Sequence, residues 1–496
     1  MDTETLDIVI VGAGLSGINA AYRVKTELPQ HSFAVLERRT EVGGTWAFWK
    51  YPGFRTDSAM SLFGFAWRPW TSDLNMAPGP LIKKYLEESV AAAGLHDKIR
   101  FGHRLASADW SSDEQRWTLR VDISTPDGTV ETRIIKAWWV IFTTGYYSYE
   151  KPLPTVIPGI DRFQGRVVHP QFWDESLSYA GKRVIIIGSG ATAITLLPAM
   201  AETAESVTML QRTPSFVMTL PARDGLYDAL SRFLPSSWAR QLHWWIRMTL
   251  ETLFVLYLRV FPASGRKLLL SEMRQQLPKG FDVERHFNPW YNPFEQRLCF
   301  CPAGDFFKAL HRPGVRVVTD VIDTVTETGI QLKSGAVLDA DIIVTATGLY
   351  FALLSTASVR VDGEAINDTI GNRYIWNGSM LEGLPNSGMI TGYTAATWTP
   401  GADVRTKQLL KVIRHMDKTG IAAAAPYVDP AERARMGASP AVTLSSTYVR
   451  SALDRIPKVG DRKPWVYGSC WAVDMWRLLT SDVRQGMRFW GNQQRD

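Results

Sequence analysis

"LDIVIVGAGLSGINAAYRV", Leu6 to Val24, decides the fold. An apolar run from Leu6 to Val11 breaks at Gly12-x-Gly14-x-x-Gly17, and a helical pattern follows. After a second apolar run, "SFAVL", comes Glu37, twenty residues past Gly17. A bound dinucleotide needs these residue types at these positions. Gly12 serves a tight strand-to-helix turn, Gly14 lets backbone approach a pyrophosphate, and Gly17 lets the helix pack on the strand. The helix N-terminus faces the phosphates, and the acid ending the next strand accepts from ribose hydroxyls. Strand, helix and acid in register predict a Rossmann-like dinucleotide-binding unit.

A second copy lies further on, in "KRVIIIGSGATAITLLPAMA". The strand Val184–Ile187 leads into Gly188-x-Gly190-x-x-Ala193, and the next strand, "SVTML", ends in Gln211-Arg212-Thr213 rather than in an acid. Arg212 in that place removes a repulsion and offers a partner to a 2′-phosphate. An acid-type first site and an arginine-type second site predict FAD and NADPH, with hydride delivered to a flavin. Gly12, Gly14, Gly17 and Glu37 are expected at the FAD, and Gly188, Gly190, Ala193, Arg212 and Thr213 at the NADPH. The two fingerprints are too far apart for a repeat array.

The expected fold class is α/β, with two Rossmann-like dinucleotide-binding domains and a helical insertion in the NADP domain. Residues 1–150 are read as the first part of the FAD-binding domain, to which the chain returns over 340–496. Residues 151–215 and 285–339 are read as the NADP-binding domain, with 216–284 inserted as a helical subdomain bordering substrate access.

Composition narrows the function. The chain has 496 residues, 45% of them hydrophobic and 21% charged, as in an ordinary globular protein. A net charge of +6 is too thin for nucleic-acid binding, and no basic stripe is interleaved with aromatics. Three cysteines make no disulfide framework, so a cytoplasmic location is expected. The stretch His243–Pro262, "HWWIRMTLETLFVLYLRVFP", is apolar over helical length but is interrupted by Arg247, Glu251 and Arg259. It reads as a buried or amphipathic helix, with peripheral membrane contact open as the alternative and a spanning helix disfavoured.

Two nucleotides admit several chemistries. Disulfide reductases need a redox cysteine pair near the flavin, and "LERRTEVGGTWAFWKYPGFRTDSAM" has none. Cys299-x-Cys301 lies beyond the second fingerprint with one residue between its thiols, and reads as inert and buried. No serine elbow or metal-ligand cluster is evident, so no metal is expected. Oxygen chemistry on the flavin remains.

"DRFQGRVVHPQFWDESL", Asp161 to Leu177, precedes the second fingerprint and is neither a strand pattern nor a clean amphipathic helix. Its Phe163-x-Gly165-x-x-x-His169-x-x-x-Trp173-Asp174 resembles the fingerprint FxGxxxHxxxW(P/D) of type I Baeyer–Villiger monooxygenases. In heteroatom-oxidising flavin-containing monooxygenases the last aromatic is usually Tyr or Phe. "EVGGTW" with Gly44 and Trp46, "YPGFRTDS", the "ATG" ending at Gly348 and "YNPFEQRLCFCPAGDFF" agree with this likeness, which spans nearly the whole chain. "YNPFEQRLCFCPAGDFF" and "GSGATAITLLPA" resemble the branch that includes the mycobacterial ethionamide-activating monooxygenase.

The resemblance implies oxidation of ketones to esters or lactones through a C4a-peroxyflavin, with sulfoxidation alongside. Gly44, Trp46 and Asp57 fall among its cofactor-contacting positions. Asp57 matches the active-site aspartate at the flavin, and Arg297 the catalytic arginine beside it. Some family members have Lys before that arginine to help hold the 2′-phosphate. Here Gln296 takes its place, so NADPH selectivity leans on Arg212. Small hydrophobic ketones or sulfides and O2 are the expected partners. The alternatives are a heteroatom oxygenase and a non-catalytic NADPH/FAD-binding protein. Phe163 and Trp173 read as anchors of a linker that turns at Gly165. His169 reads as structural, coupling cofactor binding to domain position rather than moving protons.

Overall fold

The computed structural model describes residues 3–125, 127–354, 356–466, 468 and 470–493. Its strands gather into two main sheets, each built on one glycine fingerprint. The first centres on Thr3–Val11, which pairs in parallel with Phe33–Leu36 on one side and with Val130–Phe142 on the other. Antiparallel strands His103–Ser111 and Arg116–Ser124 extend it, and Ser358–Val361 and Ser387–Met389 join from the far end of the chain. Ile8, Val9 and Ile10 are wholly buried, as expected of a strand covered on both faces.

The second sheet is parallel throughout. Its order places Val315–Thr319, Ser206–Gln211, Arg183–Ile187, Ile342–Thr345 and Arg166–Val168 side by side. Two expectations need correcting here. Ile342–Thr345, placed beyond the boundary expected at 339/340, pairs with Arg183–Ile187 and so belongs to the sheet of the second fingerprint. The linker reading of 161–177 also misses that Arg166–Val168 is the edge strand of this sheet. Three residues are too few to show periodicity, and their pairing to Ile342–Val344 is a tertiary choice.

Between the sheets, Tyr147–Pro152 and Leu349–Phe351 form an antiparallel ribbon, so both passages of chain from half to half run side by side. The insertion begins as a strand, Val217–Leu220, paired with Cys299–Pro302. Its helices Gly225–Ser231, Ser236–Val260, Pro262–Gln276 and Val283–Phe287 follow, so the helical part starts and ends later than 216–284. The long helix Trp398–Thr419 packs against Leu15–Glu27 and closes the flavin half. Among the described residues no helix is long and apolar enough to cross a membrane.

Candidate active site

The first fingerprint turn meets the demands of its spacing. Gly12 has φ +105°, where a side chain would be strained. A Cβ on Gly17 would lie 1.8 Å from the Gly12 carbonyl oxygen, so only hydrogen lets the helix sit this close to the strand. Gly14 faces Gly44, whose added Cβ would come within 3.0 Å of the Gly14 Cα. Two bare turns thus meet across a floor, and no side chain caps the helix that begins after Gly14. Exposed N–H groups and missing Cβ atoms make a cradle that fits a pyrophosphate. Glu37 is buried at the strand end; its carboxylate accepts from Ala13 N–H at 2.8 Å and from Arg39 N–H at 3.0 Å. A cavity of about 290 Å³ runs from Glu37 past Gly12, Gly14 and Gly44 to Trp46, Asp57, Arg297 and Trp398. Glu37 at one end and the bare glycine turns beyond it suit FAD.

Trp46 stacks on Phe54 with ring centroids 5.1 Å apart, walling that cavity. Trp398 packs on the core of the flavin half and also lines the cavity, and its indole N–H donates to Ser16 Oγ at 3.0 Å.

The second fingerprint is more open. A Cβ on Gly188 would meet the Ala346 carbonyl oxygen at 2.4 Å, whereas one on Gly190 would meet nothing within 4 Å. Ala193 is fully buried against the core of the NADP half. Ser189 Oγ donates to the Thr213 carbonyl at 2.8 Å, which fixes the turn beside Arg212. Arg212 is exposed, with a long contact of 3.4 Å from Nη2 to Thr447 Oγ1. An exposed guanidinium beside an uncapped helix N-terminus fits a 2′-phosphorylated dinucleotide. Ala191 and Thr195 of that helix line the same cavity as Asp57 and Arg297, so the two fingerprints open on one cavity.

Asp57 and Arg297 are brought together at this convergence. Asp57 comes from the flavin half, and Arg297 from the segment leading into Cys299–Pro302. Arg297 Nη2 lies 3.7 Å from Asp57 Oδ2, an ion pair looser than a hydrogen bond. Asp57 pushes the guanidinium pKa further above its usual value, against the burial that would lower it. Arg297 therefore stays charged. Its exposed surface, 38% of the side chain, opens on cavities: it lines the flavin cavity, a small apolar one behind Tyr146 and Tyr448, and a third of about 220 Å³.

That third cavity is lined by Asp57, Arg297, Phe294, Phe300 and, from the insertion, Leu250, Glu251 and Phe254. In the sequence Glu251 reads only as an interruption of an apolar run. Its carboxylate accepts from Thr397 N–H at 2.9 Å and Thr397 Oγ–H at 2.8 Å, at the start of helix Trp398–Thr419. The insertion is thereby fastened to the flavin half. Glu251 is the one acid in that helix, and this was the available signal. Arg55 and Asp305 make a second bond between halves, a two-toothed ion pair.

Cys299 and Cys301 are buried, and burial pushes their thiols up to about 12 and about 11. Neutral thiols of this kind are poor nucleophiles. In the 161–177 segment, Phe163 is buried and Trp173 packs against the NADP core. Gly165 is required by close approach rather than by a turn: a Cβ would lie 2.4 Å from the Asp341 carbonyl oxygen and 2.6 Å from the Phe163 ring. His169 Nδ1 accepts from Gln171 N–H at 3.1 Å, which leaves the ring proton on Nε2, buried without a partner among the described residues. Burial lowers its pKa to about 4, so it is neutral at pH 7. Gln171 in turn donates to the Ser148 carbonyl at 2.8 Å, tying the segment to the ribbon between halves.

Known proteins share this arrangement. The family described as "Flavin-binding monooxygenase-like" matches residues 6–235. The FAD-containing monooxygenase EthA of Mycobacterium tuberculosis (strain H37Rv) is 40% identical over 492 residues, 98% of each chain. EthA of Mycolicibacterium smegmatis is 42% identical over 464 residues, 93% of this chain and 92% of its own. Among solved structures, an oxidized steroid monooxygenase bound to NADP aligns with TM-score 0.74 at 21% identity, covering 98% of this chain and 99% of that one. Cyclohexanone monooxygenase from Rhodococcus sp. Phi1, bound to NADP+, aligns with TM-score 0.74 at 20% identity, covering 98% and 99%. Two convergent dinucleotide sites and full-length identity to FAD-containing monooxygenases lead to one assignment: the chain belongs to the flavin-binding monooxygenase family.

Proposed function

We propose that the protein is an NADPH- and O2-dependent Baeyer–Villiger monooxygenase that uses FAD to insert one oxygen atom into a ketone. Ketone, O2, NADPH and a proton become ester or lactone, NADP+ and water. FAD, when bound and reduced by NADPH, supplies the activated oxygen. The chain supplies charge and position. Arg297, held cationic by Asp57, faces the cavity where negative charge develops on the attacked carbonyl oxygen, and a fixed cation there lowers the barrier. Trp46 and Trp398 wall the flavin cavity and exclude water. The single observation that carries this reading is the Asp57–Arg297 pair at the meeting of the three cavities. A cytoplasmic location with peripheral membrane contact through residues 243–262 is part of the same proposal.

Sulfide oxidation accompanies it at the same site. The third cavity is walled by Leu250, Phe254, Val255 and Phe300, which suits an apolar sulfide, and sulfur attack develops no carbonyl oxyanion. Arg297→Ala is the test. The variant should retain FAD, lose ester formation by about 10²–10³-fold, and lose much less sulfoxidation. Undiminished ester formation would remove Arg297 from the chemistry. A wild-type enzyme that makes only sulfoxide is a heteroatom oxygenase, and one that makes neither product yet binds NADPH tightly is a nucleotide-binding protein.

A further inference from the structure

The helix Ser236–Val260 carries large apolar side chains on its outer face. Trp238, Leu242, Trp245, Leu253, Leu256 and Val260 are between 42% and 71% exposed. Their spacing of three, four or eight residues puts all six on one narrow face. The inward face carries Ala239, His243, Met248, Val255 and Leu258. At 1.5 Å per residue the stripe is about 33 Å long. Phe233, 87% exposed, prolongs it at one end and Phe261, 58% exposed, at the other.

A second helix adds to it. Trp471 of Trp471–Thr480 sits edge-on to Trp244 and Trp245, with centroids 5.0 and 5.2 Å away. This neighbour exposes Val473, Trp476 and Leu479 to 41%, 53% and 75%. A row of exposed large apolar side chains of this length marks a contact with something apolar.

Charge selects the occupant. Between Arg232 and Leu268 the one acidic residue is Glu251, and Thr397 engages both its oxygens. The exposed charged residues there, Arg232, Arg259 and Lys267, are basic. On the neighbouring helix the acid, Asp474, pairs with Arg477 and accepts from the Tyr393 hydroxyl. Lys463 caps the Trp476 ring at 3.9 Å. Trp and Leu on one face with cations around them fit the headgroup layer of an anionic bilayer.

We infer that the helices Ser236–Val260 and Trp471–Thr480 form a monotopic docking face for an anionic lipid bilayer, and that apolar substrate passes from the bilayer to Arg297 alongside Leu250 and Phe254. Leu250 is 51% exposed beside the stripe and also lines the third cavity, whose far wall is Asp57 and Arg297. The docking face therefore adjoins the substrate cavity. The inference rests on the proposed oxygenation only for what travels through the cavity; the docking stands apart from turnover.

The experiment separates the two. Purified holoenzyme is sedimented with vesicles of phosphatidylcholine alone and of phosphatidylcholine with phosphatidylglycerol, without NADPH or substrate. The wild type should pellet with the anionic vesicles, and less as salt rises. A Trp238→Ser/Leu242→Ser/Leu253→Ser/Leu256→Ser variant should bind them at least about tenfold more weakly. It should keep its flavin and its NADPH oxidation with a water-soluble ketone, and lose the advantage of the wild type with a ketone dissolved in vesicles. An Arg232→Glu/Lys267→Glu variant, with the apolar stripe untouched, should lose the preference for anionic vesicles. A wild type that stays in the supernatant overturns the docking face, as does equal pelleting by the stripe variant. A wild-type dimer that the stripe variant dissociates, with no vesicle binding, assigns the face to a second copy instead. Docking with no gain for the vesicle-borne ketone overturns the passage alone.

Discussion

The two glycine fingerprints begin alike and end as different kinds of site. In the first, Gly14 is pressed against Gly44, Glu37 is buried with both oxygens engaged, and tryptophans wall the cavity. In the second, nothing lies within 4 Å of a Cβ on Gly190, and Arg212 stands exposed at the rim. A closed, prearranged cleft holds a resident cofactor, because rigid surroundings slow its departure. An open cleft with a surface guanidinium suits a molecule that must arrive, react and leave. One strand-turn-helix plan thus yields a tightly walled cradle and an open one, and the difference lies in what surrounds the glycines.

The comparison can be broken most severely at Gly17. Gly17→Val should yield protein without flavin, since the added Cβ would overlap the Gly12 carbonyl oxygen at 1.8 Å. The flavin absorbance of the purified variant reads this directly. The equivalent position of the second site already carries a methyl group, so Ala193→Gly should keep full flavin content. Second in size is Arg212→Ala. Loss of a charge-assisted phosphate contact of about 1.5–3 kcal/mol should raise KM for NADPH about 10- to 150-fold and leave NADH nearly unchanged. Steady-state kinetics with both nucleotides check it, and an unchanged preference would move 2′-phosphate recognition elsewhere.

The smallest effect distinguishes the halves by pH. In the flavin half, the Asp417 and Asp7 carboxylates hold His31 at about 9 against the burial that would lower it. Its stabilisation is complete below pH 6.5 and is lost as pH rises through 9. In the NADP half, burial keeps His169 neutral down to about pH 4. The unfolded chain takes up that proton near pH 6.5, so stability falls as pH drops from 6.5 to 4, by about 1–2 kcal/mol for a partly exposed ring. Melting temperatures against pH should therefore fall less steeply on the acid side in His169→Gln, and less steeply on the alkaline side in His31→Gln. Parallel curves for variant and wild type would contradict the burial argument.

How much of this was readable beforehand follows from distance along the chain. Both fingerprints and the switch from Glu37 to Arg212 are local patterns, and they stand where the spacing puts them. Asp57 and Arg297 lie on opposite halves, and as residue types they are ordinary surface charges; only a family resemblance singled them out. Arg166–Val168 becomes a strand because Ile342–Thr345 arrives beside it, and no property of three residues announces that. Gly165 was legible as a special position but for the wrong reason, since its neighbour across space, Asp341, is invisible in sequence. Glu251 was visible as an interruption of an apolar run. Its partner Thr397 lies 146 residues away.

The ribbon of Tyr147–Pro152 against Leu349–Phe351 bears on movement. A single tether between two bodies would allow swivel about many axes. Two strands laid antiparallel and hydrogen-bonded act as the knuckles of a door hinge, stiff to shear and to twist and yielding about one line. Gln171, bonded to Ser148 at the edge of that ribbon, sits where such rotation is felt first. A turn about that line would have to part Glu251 from Thr397 and Arg55 from Asp305, so ribbon and bonds together hold the angle between the two halves.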